Sequence, residues 1–278
     1  MVAVRGAAGA LLATLLISRA GAHNWLGDGE ALDIGPAANA QDVTLQCKSA
    51  SVDHSKTVVA AVGDSITVGF NCRTWKGGFV KVLQDVLGEA KYDVRDCGLC
   101  GHDAVRANHG NMKHATYWNT SAMAESKAMK PDYVIFMLGT NDADEWYNTS
   151  KYFSQDFLDL VMYYRDMPNK PKVITMIPPP LSNFTCSDMP GGANPTCLAP
   201  YSKACVIDCV LPKLVPSLTK QLGLPPPLDL LTFLGGPTHT NKSAMPGLHP
   251  DCDGYELLGH FIAKEVFKVG DGVWQREK

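Results

Sequence analysis

From residue 56 onward, short, mainly apolar and β-branched runs alternate with longer stretches in which apolar positions recur every three or four residues. The runs at 57–62, 92–94, 133–138, 173–177 and 228–233 predict five strands. Between and after them, 79–87, 152–167, 205–222 and 255–269 carry a helical period. Phe153, Phe157, Val161 and Tyr164 share one face of the second helix, and Leu258, Phe261, Ile262 and Val266 form a stripe on the last. Pro212 and Pro216 interrupt the third. Strands that are apolar throughout are buried on both faces, so the pattern predicts an α/β domain with a mostly parallel five-stranded sheet between helical layers. Ligands of such sheets sit beyond the carboxyl ends of the strands, which directs attention to Gly63, Gly98, Gly139 and Pro178. Residues 178–204, with three successive prolines, Cys186 and Cys197, read as one long disulfide-pinned loop rather than a domain boundary.

The N-terminal part has a different character. Arg5 precedes an apolar run over 7–17 that ends in Ala20-Gly21-Ala22, the layout of a secretory signal peptide over residues 1–22 with cleavage after Ala22. That run is too short to span a bilayer, and no later run is long enough to be an integral membrane segment. Residues 23–55 lack a period and are expected to form an extended arm laid over the domain at 56–278. Export to an oxidising, extracellular location would pair most of the nine cysteines and leave one over. Taken alone, Cys97-Gly-Leu-Cys100 also fits a thiol exchange motif, and with Cys205 and Cys209 a zinc site. Sequons at Asn119, Asn148, Asn183 and Asn241 predict glycosylated surface loops. With 45% hydrophobic and 19% charged residues the chain is too apolar for disorder, and a formal charge of −3 argues against nucleic acid as a partner.

The chemistry gathers where the strands end. Gly63-Asp64-Ser65-Ile66-Thr67 follows the first strand, and a serine at a strand-to-helix turn serves either as an N-cap or as an exposed nucleophile. Asp96-Cys97-Gly98-Leu99-Cys100-Gly101 follows the second strand and Gly139-Thr140-Asn141-Asp142 the third, while His249-Pro250 precedes the last helix. In order and spacing these four blocks resemble the SGNH or GDSL hydrolase family, over about 57–268. Tyr117-Trp118-Asn119-Thr120 and Pro131-Asp132 are similar to its secreted, carbohydrate-esterase-like members. The resemblance implies a flavodoxin-like three-layer sandwich, the SGNH hydrolase fold, and ester hydrolysis without a cofactor or metal. It implies Ser65 as nucleophile and His249 as the base that takes its proton. The oxyanion hole would combine the N–H groups of Ser65 and Gly101 with the side-chain amide of Asn141. His102, His109 and His114 are spaced seven and five apart, which does not suit one metal-binding helix face.

One position departs from the family. The aspartate expected three residues before the histidine is Pro246 here. Three consequences stay open: a Ser65–His249 dyad steered by a backbone carbonyl, an acid borrowed from Asp251 or Asp253, or an inactive protein. Trp118, Trp146 and Tyr147 suit stacking on sugar rings and core packing equally, and no long apolar lid lies between the blocks. The expected substrate is a small-molecule or polysaccharide ester with a short acyl group. The rivals are a lipase or lysophospholipase-like acyl esterase and a non-catalytic glycan-binding protein; oligomeric state is open. Cys97 and Cys100 precede Gly101, Cys72 lies seven residues after Ser65, and Cys252 three after His249. At least one disulfide is therefore expected to brace the oxyanion loop or the histidine loop.

Overall fold

A computed structural model describes residues 46–72, 77–109, 113–181, 202–236 and 244–269. The expected signal peptide, residues 23–45, Asn183, Asn241 and residues 182–201 of the 178–204 loop lie outside them. The chain order is β1 (Thr57–Gly63), α1 (Ser65–Val68), α2 (Phe79–Leu87), β2 (Tyr92–Gly98), the two-residue β3 (His102–Asp103) and β4 (Ala115–Thr116), and α3 (Ser121–Ala128). It continues with β5 (Tyr133–Met137), a 3-10 turn (Asp142–Glu145), α4 (Trp146–Arg165), β6 (Lys172–Ile177), α5 (Ser202–Cys205) and a π-turn (Val206–Val210). The last elements are α6 (Leu211–Gln221), β7 (Leu228–Asp229), α7 (Leu230–Phe233) and α8 (Cys252–Phe267).

The main sheet runs β2-β1-β5-β6-β7 and is parallel throughout. Its strands are buried on both faces. Val58, Ala60, Val62, Val134 and Phe136 join one core with Phe153, Phe157 and Val161 of α4 and Leu211 and Val215 of α6. The alternate residues Val59, Ala61, Ile135 and Met137 join a second core with Phe79 and Leu83 of α2 and Leu258 and Ile262 of α8. Period-two side chains inside a continuously apolar strand thus serve two helical layers at once, the three-layer α/β sandwich expected from the pattern.

Four elements differ from expectation. The run at 228–233 is strand for only Leu228–Asp229, because the Asp229 carboxylate accepts the Thr232 N–H at 2.8 Å and caps α7. Strand β2 extends past residue 94 to Gly98, carrying the buried residues Asp93 and Arg95. Their charges are satisfied by each other and by the arm: Arg95 Nη1 donates to Ser51 Oγ at 2.9 Å, and Asp93 accepts the Asp53 N–H at 2.8 Å. Residues 46–55 run beside β2, with Gln46 bridging to Asp96 and Cys47 bonded to Cys97. Helix α4 starts at Trp146, so Asn148 stands in a helix rather than a loop, half-buried, whereas Asn119 is exposed on a turn with φ 61°. The helix expected over 205–222 begins earlier and widens into a π-turn at 206–210. Pro212 follows directly; its ring crowds the carbonyl four residues back, which a π-turn relieves.

Candidate active site

The site is built at the carboxyl ends of β1, β2 and β5, which the sheet register brings level: Gly63 pairs with Gly98 on one side and Met137 on the other. Gly63 must be glycine here, since a Cβ would lie 2.1 Å from Thr67 Oγ1 and 2.6 Å from the Met137 carbonyl. The chain then turns sharply. Asp64, not Ser65, is the N-cap of α1, its carboxylate accepting the Ile66 N–H at 2.9 Å. That leaves the Ser65 hydroxyl uncommitted to a cap, and Ser65 Oγ lies 2.8 Å from His249 Nε2 across 184 residues of sequence.

His249 comes from the loop that enters α8. Asp251 closes that loop, with its N–H on the Ala244 carbonyl at 3.1 Å and its carboxylate capping α8 through the Gly254 N–H at 2.8 Å. It is committed as a cap, and neither it nor the exposed Asp253 makes a hydrogen bond or ion pair with the imidazole; Pro246 is exposed. The backbone carbonyl expected to steer the ring is not found among the described residues either. His249 meets Ser65 through Nε2 and the Phe70 ring at a centroid distance of 4.6 Å. Burial, helped by the Lys203 ammonium, lowers the His249 pKa to about 4, so the imidazole is neutral at ordinary pH.

The residues assigned to the oxyanion hole stand on the two neighbouring strand ends. Leu99 donates to the Gly63 carbonyl at 2.9 Å and ties the loop after β2 to the end of β1. Gly101 has φ +68°, a left-handed turn that favours glycine. Asn141 is buried and donates one amide N–H to the carbonyl of His102 at 3.1 Å, leaving its second N–H for another acceptor. The neighbouring Asp142 carries no signal in the sequence beyond its place in the block. Its carboxylate accepts the N–H groups of Ala104 and Val105 at 2.9 and 3.0 Å, pinning the chain that follows Gly101. Burial raises the pKa of Asp142, and burial together with Asp142 raises that of Asp103. Asp64 is pushed up to about 6 by burial.

The other candidates disperse. His102 Nδ1 meets the Cys100 carbonyl, His109 the Asp156 carboxylate and His114 that of Asp144, three separate places. Among the described residues no group of three or more His, Cys, Asp or Glu could hold a metal. Cys97 is bonded to Cys47 and not to Cys100, and Cys205 and Cys209 are in disulfides, so neither thiol exchange at 97–100 nor zinc binding fits. Trp118 donates to the Ala104 carbonyl under Arg106, and Trp146 packs on Phe153; Tyr147 keeps an exposed ring. The second disulfide, Cys72–Cys252, joins the segment after Ser65 to the start of α8, next to the histidine loop. Neither that pairing nor the contact of Phe70 with His249 carried a local signal, because the partners are far apart in sequence.

Comparison with known proteins agrees with this architecture. A stretch of 110 residues, 38% of the chain, is 34% identical to an acetylxylan esterase of Xylanibacter ruminicola, and covers 22% of that protein's length. A carbohydrate acetylesterase family member from Sinorhizobium meliloti superposes with a TM-score of 0.51 at 19% identity, over 76% of this chain and 98% of its own. The aryl esterase of M. smegmatis does so with a TM-score of 0.51 at 19% identity, over 77% and 100%. These two likenesses establish the fold. Residues 61–257 match the model of the GDSL-like lipase/acylhydrolase family, a span holding all four blocks, and the chain belongs to that family.

Proposed function

We propose that this chain is a secreted serine ester hydrolase that removes acetyl or other short acyl groups from carbohydrates or glycoconjugates through an acyl-enzyme on Ser65. The observation that carries the reading is the 2.8 Å approach of Ser65 Oγ to a neutral His249 Nε2. Nε2 accepts the hydroxyl proton as Ser65 Oγ attacks the ester carbon, and the carbonyl electrons move onto oxygen. That oxyanion is held by the Ser65 and Gly101 N–H groups and the free amide N–H of Asn141; one such donor is worth about 10²–10³ in rate. The imidazolium returns the proton to the departing alcohol. Water then repeats the cycle, releasing the carboxylic acid and restoring Ser65.

Acetyl as the acyl group and a sugar as the alcohol draw support from the printed names of the acetylxylan esterase and carbohydrate acetylesterase relatives. Secretion draws support from the signal-like N-terminus and from disulfides, which persist in oxidising compartments. A fluorophosphonate probe is expected to label the protein at Ser65, with labelling abolished in Ser65→Ala. Acetate release from acetylated xylan is expected to exceed turnover of long-chain p-nitrophenyl esters. A folded protein that neither labels nor turns over would sink the hydrolase reading and favour the glycan-binding one, to which Pro246 lends itself. Preference for long acyl chains would favour the lipase-like one.

A further inference from the structure

We propose that Phe70 and the Cys72–Cys252 disulfide act together as the positioning device for His249, replacing the acid that Pro246 removes. The inference rests on the Ser65–His249 reading above. For Nε2 to accept from Ser65, the imidazole must carry its proton on Nδ1 and hold its ring plane toward the hydroxyl. In a three-membered site an aspartate hydrogen-bonded to Nδ1 does both. Here Ser65 is the one hydrogen-bond partner of His249 among the described residues, so packing and covalent linkage must hold the ring.

Phe70 supplies the packing. It is 39% exposed, a large apolar side chain at the surface, and its ring lies against the imidazole at 4.6 Å with a tilt of 44°. Its backbone is held at both ends: the N–H donates to the Ser65 carbonyl at 3.0 Å, and the carbonyl accepts from the buried Tyr255 hydroxyl of α8 at 2.9 Å. Phe70 therefore moves with the serine turn while touching the histidine. Two residues on, Cys72 donates its N–H to the Gly69 carbonyl at 3.0 Å and bonds to Cys252, three residues after His249. The Cα atoms of the two cysteines are 4.9 Å apart, and the bond spans 180 residues of sequence. The serine turn and the histidine loop thus form one closed ring of contacts: Ser65 to Phe70, Phe70 to His249 and Tyr255, and Cys72 to Cys252.

The test is a kinetic comparison of Phe70→Leu, Phe70→Tyr, Cys72→Ser/Cys252→Ser, Pro246→Asp and the combination of Phe70→Leu with Pro246→Asp. Each is assayed on p-nitrophenyl acetate alongside circular dichroism and thermal melting. Phe70→Leu is expected to lower kcat on the order of 10- to 100-fold with KM within about twofold, the mark of a misplaced group rather than lost binding. Phe70→Tyr, which keeps the ring, recovers most of that loss. Adding Pro246→Asp to Phe70→Leu recovers part of it, while Pro246→Asp alone changes kcat by less than about twofold. Wild-type kcat in Phe70→Leu, equal losses in Leu and Tyr, or no recovery with Pro246→Asp would each overturn the role of the ring. For the disulfide, the double serine variant is expected to lose kcat while keeping its circular dichroism. If that variant does not fold, stepwise reduction of the wild-type protein decides: activity lost before the fold supports the proposal, and both lost together overturns it. An inactive, unlabelled wild-type protein would instead end the esterase reading itself.

Discussion

At the scale of single residues, the site is governed by what burial does to charge and by how closely backbones approach. His249 lies well below its ordinary pKa of 6.5, at about 4, because burial disfavours the cation and the Lys203 ammonium repels it. A general base works in its neutral form, so the acid limb of kcat/KM is expected near pH 4, with a plateau through neutrality. Lys203→Met removes the cation and leaves Asp144, which Lys203 contacts at 2.9 Å, with His114 but without an ammonium to balance its charge. Both changes favour the imidazolium, so the limb should move to higher pH; a pH–rate profile of the two proteins checks this, and a limb that stays put would refute the assignment of His249 as base. Gly63 answers to a different constraint. In Gly63→Ala the new methyl meets the Met137 carbonyl, a backbone atom that cannot swing aside, as well as Thr67 Oγ1. A stability loss of about 1–3 kcal/mol is expected by urea titration, with the Ser65 turn pushed out of register and activity falling at least in proportion.

At the scale of elements, the parts of the fold legible in sequence are those whose neighbours are simply apolar. β1 and β5 read as strands buried on two faces and are so, and helices α2, α4 and α8 follow their stripes. The second half of β2 was not legible, because Arg95 looks like a surface charge until Asp93 and the arm at 46–55 satisfy it. At 228–233, local capping by Asp229 outweighed the strand preference of the residues that follow. Helix α3 buries only Ala122, Met123 and Ser126 and so lacks an apolar stripe to announce it. In the site, Ser65, Asn141 and His249 stood out because each follows or precedes an element in a recurring block. Phe70 and the cysteine pairing did not, since their meaning depends on contacts across 180 residues. The two visible disulfides are expected to differ accordingly. Cys47–Cys97 closes a loop of 50 residues and fastens the arm over the buried Asp93–Arg95 pair. Its removal in Cys47→Ser/Cys97→Ser should cost about 2–4 kcal/mol in denaturant unfolding, without the selective loss of kcat expected for Cys72–Cys252.

At the scale of the whole molecule, the carboxylates beneath the site set how stability depends on pH. Asp64, Asp103 and Asp142 lie together under the ends of β1 and β5, and Oδ2 of Asp64 and Oδ1 of Asp103 make no hydrogen bond among the described residues. Burial raises the pKa of all three, Asp64 from 3.8 to about 6, and Asp103 further through its like-charged neighbour Asp142. A carboxyl group with a folded pKa above its unfolded value binds its proton more tightly in the native state. Its contribution is complete below pH 3.8 and is lost as pH rises through the folded value. For Asp64 that loss is on the order of 3 kcal/mol when complete. His249 acts in the opposite direction over nearly the same window: its folded pKa is depressed, so the unfolded chain takes the proton first and stability falls as pH drops from 6.5 towards 4. Between about pH 4 and 6.5 His249 offsets one of the three carboxyls, so stability still declines as pH rises through that range and on through the raised pKa of Asp103, by several degrees in Tm from about pH 5 to pH 8. In Asp103→Asn the group that is hardest to ionise no longer titrates, so its Tm should gain on wild type at pH 8 relative to pH 5. Thermal melts across that range decide the matter, and a Tm that rises toward pH 8, or a parallel shift of both proteins, would show that the buried carboxyls do not govern the profile.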